Sequence, residues 1–225
     1  MQYIPKTMPG PHADLAAEKI KPSGTYRIPA AINVLRADFH NRCYLCEDSP
    51  QSINIEHFIP HRENRDLKFS WANLFWSCNH CNNTKGAKFD SILNCTTDAE
   101  IEEKLEYIFF SFPSEDATIR AIGQTEESRL TAELLSNIHN GTTPLKRIES
   151  NELRKKICLH LHAFSSEVIS FECAEDDRDL REYLGHRIKS KVQTTAKFAS
   201  FTRAYLRTCP KSLGKLKAEI PDFPL

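Results

Sequence analysis

Apolar positions in the second half of the chain recur every three or four residues, the spacing that places side chains on one face of an α-helix. The stripes fall within residues 101–112, 126–139, 153–168 and 180–192. Their members are Ile101, Leu105, Ile108, Phe109, Phe112, Leu130, Leu134, Leu135, Ile138, Leu153, Ile157, Leu161, Phe164, Val168, Leu180, Leu184, Ile188 and Val192. Stripes of this kind usually pack into a core, so they predict four amphipathic helices.

Local signals mark where some of these helices begin and end. Thr97 and Glu100 have the spacing of a capping box at the start of the first one. Asn140-Gly141 is a typical C-terminal stop for the second. The fourth stripe predicts a helix that continues to about Leu206, and residues 29–41 predict another helix before the middle of the chain.

The pattern changes between residues 52 and 88. Ser52–Pro60 alternates around β-branched residues and stops at a proline, which predicts a strand that runs into a loop. The stretch that begins at Asp66 holds Trp71–Trp76, a second extended, apolar piece that leads into Cys78. Asn82 and Asn83 are good capping residues, so a helix is predicted to start near Cys81. Together these elements predict a compact unit of two strands and one helix.

The first residues differ from both regions. Met1–Gly24 contains Pro5, Pro9, Gly10, Pro11 and Pro22, so residues 1–28 are expected to form an extended arm. The predicted fold class is α+β and mostly α. Its expected divisions are this arm, a core over residues 29–95 and a helical domain over residues 96–225.

Charge is balanced over the whole chain but not along it. Thirty Lys and Arg residues match thirty Asp and Glu residues, which argues against a general polyanion-binding protein. Residues 185–217 nevertheless hold nine basic and no acidic residues, and residues 172–182 hold six acids. Two interpretations stay open for the basic stretch: a surface for nucleic acid or a partner, or a solvated face paired with the acidic segment.

Four of the eight cysteines form two Cys-x-x-Cys pairs, Cys43/Cys46 and Cys78/Cys81. Two such pairs suit tetrahedral zinc, and four thiolates leave no open position, which predicts a structural rather than a catalytic ion. The alternative is buried or disulfide-bonded cysteine. The chain opens with no signal-peptide pattern and contains no apolar run long enough to span a membrane, so a reducing cytoplasm is expected and favours zinc.

The residues between and after these pairs carry the candidate chemistry. Cys-x-x-Cys, then Glu56-His57-x-x-Pro60, then Asn73-Leu74, then Cys-x-x-Cys-Asn82-x-x-Lys85 resembles the HNH endonuclease family, whose core is the ββα-metal finger. The resemblance covers about residues 42–88. It implies a zinc-clamped ββα-metal core with phosphodiester hydrolase activity.

The resemblance also implies a role for each matching position. His57 would be the general base, because an imidazole titrates near neutral pH. Glu56 and Asn82 would hold a catalytic divalent ion, and two oxygen ligands favour Mg²⁺ or Mn²⁺. Asn83 competes with Asn82 for that role. Asn73 would brace the loop that carries the base.

Three further residues are expected to contact nucleic acid: Lys85, Lys88 and His61. Each of the candidate residues also has a purely structural interpretation, as a helix cap, a turn residue or a solvated charge. The order and spacing of these candidate residues, between and just after the two cysteine pairs that would bind zinc, favour the nuclease hypothesis.

The sequence surrounding these motifs is similar to a narrower branch of the HNH family, the bacterial anti-phage HNH proteins of the Septu type (PtuB-like). Proteins of this branch are also found beside some retrons. That branch implies a hetero-oligomer with an ABC/SMC-type ATPase (PtuA-like). The chain itself has no Gly-x-x-x-x-Gly-Lys phosphate-binding loop. DNA is the favoured substrate; RNA cleavage by the same core, and a non-catalytic zinc adaptor, are the alternatives.

Overall fold

The computed structural model describes residues 1–49, 52–108 and 112–225. Over these residues the fold is mostly helical, with two small antiparallel sheets. The helices are α1 (His12–Lys19), α2 (Pro29–Asp38), α3 (Arg65–Lys68), α4 (Asn79–Lys85), α5 (Glu126–Asn140), α6 (Pro144–Cys173), α7 (Arg178–Lys191), α8 (Ala199–Arg207) and α9 (Pro210–Glu219). The strands are β1 (Ile53–His57), β2 (Leu74–Cys78), β3 (Leu105–Ile108) and β4 (Thr118–Ala121).

The predicted ββα unit is present. Strands β1 and β2 pair antiparallel, with Glu56 opposite Phe75 and His57 opposite Leu74. Helix α4 follows β2 directly and packs on both strands. It begins at Asn79, because the thiol of Cys78 acts as the N-cap and accepts from the backbone N–H of Cys81. The prediction that Asn82 and Asn83 cap this helix was therefore wrong, since both lie inside it.

The prediction of a helix that starts at the Thr97/Glu100 capping box is also wrong. A short 3-10 turn over Ile101–Lys104 leads into strand β3, which pairs antiparallel with β4. The stripe included Ile101, Leu105 and Ile108 at helical spacing, but pairing with β4 outweighed this local preference. Phe109, which was assigned to the same stripe, lies outside the described residues, and Phe112 is largely exposed.

The remaining helix predictions are confirmed with one exception. Helix α5 ends at Asn140, and Gly141 follows it with a φ of +75°, a value that favours glycine. The fourth stripe does not continue to Leu206. Helix α7 ends at Lys191, and α8 starts only after Phe198, whose left-handed φ of +54° breaks the helical path.

One large hydrophobic core joins most of the molecule. It includes Met1, Leu15 and Leu35 from the first segment, Phe75 from the ββα unit and Ile157 from α6. A second, smaller cluster lies where the end of α6 packs against α7, α8 and α9. The arm expected over residues 1–28 is thus not wholly extended, because α1 forms within it and buries Leu15. The proposed divisions at residues 28 and 95 stay predictions.

The basic stretch over residues 185–217 is largely paired with acids. Lys191 and Arg187 contact Glu167, while Arg203 and Arg207 contact Glu102. Lys215 contacts the predicted acidic segment through Glu172 and Glu175. These ion pairs favour the solvated, paired face over a free nucleic-acid surface. Among the described residues, no helix is both long and apolar enough to cross a membrane.

Candidate active site

The four paired cysteines converge on one point. Cys43 and Cys46 come from the turn after α2, and Cys78 and Cys81 from the start of α4. Their Sγ atoms all lie within 4.8 Å of one another, and those of Cys46 and Cys78 are 3.9 Å apart. A tetrahedral zinc with bonds of about 2.3 Å places its sulfur ligands about 3.8 Å apart, so the cluster fits this ion.

The four thiols share protons unevenly: hydrogen bonds with Cys43 and Cys78 raise the pKa of Cys46, and burial raises that of Cys81. Burial by itself raises the pKa of Cys43, but hydrogen bonds with the other three cysteines outweigh burial and hold that pKa well below its usual range. Asp48, two residues after Cys46, forms ion pairs with Lys156 from α6 and Lys197. These lysines bring positive charge close to a site whose four thiolates exceed the charge of one zinc ion.

Glu56 and His57 lie at the end of β1 and point in different directions, as neighbours on a strand do. The Glu56 side chain faces inward and is 4% exposed. Its Oε1 accepts from the Tyr44 hydroxyl at 3.0 Å and lies 3.0 Å from the Lys85 Nζ. Its Oε2 is buried and has no hydrogen-bond partner among the described residues. Burial raises the pKa of Glu56 despite the opposing charge of Lys85.

His57 is half-buried, and its Nε2 lies 3.0 Å from the backbone carbonyl oxygen of Lys68. A carbonyl oxygen only accepts hydrogen bonds, so Nε2 carries the hydrogen and Nδ1 carries the lone pair. Burial lowers the pKa of His57 below its ordinary value; the hydrogen bond to the Lys68 carbonyl opposes this shift, and the positive charges of Lys68 and Lys85 add to it. The ring is therefore neutral at pH 7, with Nδ1 as its basic nitrogen.

Asn73 is buried and holds the loop after β1 in place. Its Oδ1 accepts from the backbone N–H of Ile59 at 2.7 Å. Its Nδ2 donates to the carbonyl oxygens of Ile59 at 2.9 Å and Leu67 at 3.0 Å. These three bonds connect both ends of the loop, next to the Lys68 carbonyl that orients His57. The role of Asn73 in bracing the base for catalysis stays a prediction.

Glu56, His57 and Asn82 line one open cleft of about 420 Å³. The other lining residues are Pro60, His61, Arg62, Asn83, Gly86 and Ala87. On α4, Asn82 lies one turn before the buried Lys85, whereas Asn83 is exposed. Asn82 therefore lies on the side of the helix that faces Glu56. Gly86 ends the helix with a φ of +51°, which favours a residue without a Cβ.

The three residues expected to contact nucleic acid lie in different environments. Lys85 is 1% exposed, and its Nζ donates to the Phe58 carbonyl oxygen at 2.7 Å while it pairs with Glu56. A side chain enclosed in this way does not reach a phosphate, so the placement argues against the predicted contact. Lys88 is exposed and pairs with Glu133 at 2.7 Å. His61 lines the cleft, with its ring centroid 4.6 Å from that of His57.

Residues 42–88 match the HNH endonuclease family model. This HNH segment coincides with the residues on which the sequence resemblance was based. Septu protein PtuB of Bacillus thuringiensis is 35% identical over 66 residues, which are 26% of this chain and 26% of that relative. The chain thus spans about a quarter of the relative's length in the alignment. No solved structure shows a significant match.

Sequence reasoning missed two residues beside the HNH segment's histidine. Arg62 lines the cleft with its side chain 71% exposed, and it pairs only loosely with Asp90 at 3.2 Å. Tyr26 comes from the first segment and packs edge-on against His57, with ring centroids 4.5 Å apart. Arg62 stands five residues after His57, so a search for basic residues near the motif would have found it. Nothing in the sequence connects Tyr26 to the site.

Proposed function

We propose that the chain is a metal-dependent endonuclease that hydrolyses phosphodiester bonds in DNA through its HNH segment. The observation that carries the proposal is the state of His57. Its Nε2 hydrogen is committed to the Lys68 carbonyl, which leaves a basic Nδ1 on a ring that lines an open cleft. A positioned, neutral imidazole is what a general base for water requires.

The residues present also fit a catalytic divalent ion. Glu56 lines the cleft, and its Oε2 is buried without a partner among the described residues, which is an unfavourable state unless a ligand satisfies it. Asn82 adds a carboxamide oxygen from α4. Two oxygen donors suit a hard ion such as Mg²⁺ or Mn²⁺, which when bound stabilises negative charge on a phosphate.

The remaining steps belong to the protein's own groups. His57 Nδ1 accepts the proton of the attacking water as its oxygen bonds to phosphorus and the P–O bond to the leaving sugar oxygen breaks. The Lys68 carbonyl stabilises the resulting imidazolium, and the leaving oxygen takes a proton from solvent. Asn73 keeps the loop, and with it that carbonyl, in place. Arg62 is the exposed cation of the cleft, so we assign the phosphate contact to it rather than to Lys85.

The proposed biological role follows from the similarity to the PtuB protein. We propose that the chain acts in bacterial anti-phage defence, within a hetero-oligomer that contains a PtuA-like ATPase of the ABC/SMC type. The absence of a phosphate-binding loop in the sequence supports a separate ATPase subunit. The partial alignment means that this role rests on the HNH segment alone.

Cleavage assays test the proposal. The chain, alone and co-purified with a candidate ATPase, is incubated with supercoiled plasmid or tRNA in the presence of Mg²⁺ or Mn²⁺. Replacing His57 by Ala should lower the rate of plasmid nicking about 10²–10⁴-fold, the usual contribution of a general base. His186→Ala is the matched control, because His186 is exposed on α7 and far along the chain from the cleft.

A second pair of variants tests the ion ligands. Asn82→Ala should reduce nicking and raise the Mg²⁺ concentration needed for half-maximal activity, whereas Asn83→Ala should change neither. Equal nicking by wild type and the folded His57→Ala variant would refute the mechanism. Cleavage of tRNA in preference to plasmid would refute DNA as the substrate. DNA binding without any cleavage in the co-purified complex would indicate a zinc adaptor.

A further inference from the structure

A second pocket lies away from the cleft, at the junction between the zinc-binding turn and the helices. It has a volume of about 320 Å³, within the size range of small-molecule sites. Its lining includes Arg42, His160, Ser190, Lys191, Thr195 and Lys197. We call it the junction pocket. It brings together the residue before Cys43, helix α6, the end of α7 and the connection to α8.

Buried nitrogens without hydrogen-bond partners in the described part of the chain belong to two residues that line this pocket. The Nε and Nη1 atoms of Arg42 are buried and, among the described residues, have no hydrogen-bond partner. The same holds for Nε2 of His160. Leaving a buried polar group unsatisfied costs about 1–3 kcal/mol, and more for a charged one. An arginine side chain carries only donors, so the unpartnered Arg42 points to a ligand that accepts hydrogen bonds.

The charges of the pocket specify an anion. Lys191 pairs with Glu167 at 2.7 Å, and Lys197 pairs with Asp48 at 2.6 Å, so each lysine already has a counter-charge. Glu47, the other acid near Arg42, contacts the amino group of Met1 at 3.1 Å. Arg42 is thus left as a cation without an ion pair among the described residues.

We propose that the junction pocket binds the phosphoryl group of a small phosphorylated ligand, with the Arg42 guanidinium as its main contact. A guanidinium presents parallel N–H donors that match two oxygens of a phosphoryl group. The Thr195 hydroxyl supplies a further donor at the same pocket. A bound ligand would connect the zinc-binding turn to α6 and to the α7–α8 connection. This site is separate from the cleft and independent of nuclease activity.

Thermal unfolding tests the proposal. The melting temperature of the zinc-loaded chain is measured with inorganic phosphate, and separately with AMP, at constant ionic strength and without added divalent ions. A ligand present at ten times its Kd should raise the melting temperature by about 3–6 °C for a chain of this size. Equal shifts with both probes would identify the phosphoryl group alone as the ligand. A larger shift with AMP would identify a nucleotide.

Charge variants locate the site. Ala196→Glu adds a carboxylate to the pocket lining and should abolish the shift. Ala218→Glu makes the same change at an exposed position on α9 and should preserve it. If Ala196→Glu does not fold with zinc bound, Thr195→Glu serves instead, since Thr195 is exposed on the same turn. His57→Ala should also preserve the shift, whether or not the chain proves to be a nuclease.

Two results would overturn the proposal. One is a melting temperature that neither phosphate nor AMP raises above its value in chloride. The other is a shift that persists in the folded Ala196→Glu or Thr195→Glu variant, because the anion would then bind elsewhere, the cleft included.

Discussion

Replacing Lys85 by Met should strongly destabilise the protein. Lys85 and Glu56 are 1% and 4% exposed, and their charged atoms are 3.0 Å apart. At an effective dielectric constant of about 20, charges at this distance attract by about 5 kcal/mol. Methionine fills a similar volume but leaves the Glu56 carboxylate buried without its counter-charge. Removing one partner of a buried pair costs about 3–5 kcal/mol, so we expect the free energy of unfolding to fall by that amount.

Urea unfolding of the zinc-loaded protein, followed by circular dichroism, measures this change. Lys88→Met is the matched control, because its exposed pair with Glu133 should contribute at most about 1 kcal/mol. The double variant Lys85→Met/Glu56→Gln should recover part of the lost stability, since a neutral carboxamide needs no counter-charge. Recovery would show that the loss arose from the unpaired carboxylate.

DNA binding separates this structural role from the phosphate contact that the sequence suggested. A lysine that neutralises one phosphate contributes about one unit to the slope of log K against log salt concentration. Lys85→Met should leave that slope unchanged when measured at a temperature where the variant is folded. A variant as stable as wild type, with the slope reduced by about one, would refute the buried-pair interpretation.

Two further predictions concern Asn73 and His139. Asn73→Ala leaves the backbone groups of Ile59 and Leu67 without partners, so it should lower the free energy of unfolding by about 1–3 kcal/mol. It should also reduce kcat at least tenfold with little change in DNA affinity. An unchanged kcat would contradict the bracing role. Burial lowers the pKa of His139 to about 4 in the folded state, so protons bind the unfolded state first as the pH falls below about 6.5. From pH 7 to pH 5 the wild type should therefore lose about 2 kcal/mol relative to His139→Gln in urea unfolding, and a pH-independent difference between the two would contradict this.

Some elements could be predicted because their signal is local. Gly141 terminates α5 through its own backbone freedom, and the alternation in Ser52–Pro60 predicted β1 from neighbouring residues alone. Residues 105–108 were assigned to the wrong element because their partner strand, β4, lies at Thr118–Ala121 and carries no signal that identifies it. The fourth predicted helix stopped at Lys191, and Phe198 begins α8 from a left-handed conformation that its residue type does not suggest.

By itself, the sequence determined which groups are available and in what order. The two Cys-x-x-Cys pairs implied a four-thiolate cluster because each pair spans a single turn, and the Sγ distances agree with it. Glu56, His57, Asn73 and Asn82 were likewise candidates from the motif alone.

Only the tertiary structure decided what each group contacts. Lys85 and Arg62 are both basic residues near His57 in sequence, but Lys85 lies on the inner face of α4 against Glu56 while Arg62 lies on an exposed loop. Tyr26 reaches His57 from a distant segment, and Lys68 orients it through a backbone carbonyl that any residue would supply. Spacing along a chain limits which residues share a turn, whereas burial and hydrogen bonding depend on segments that meet only when the chain folds.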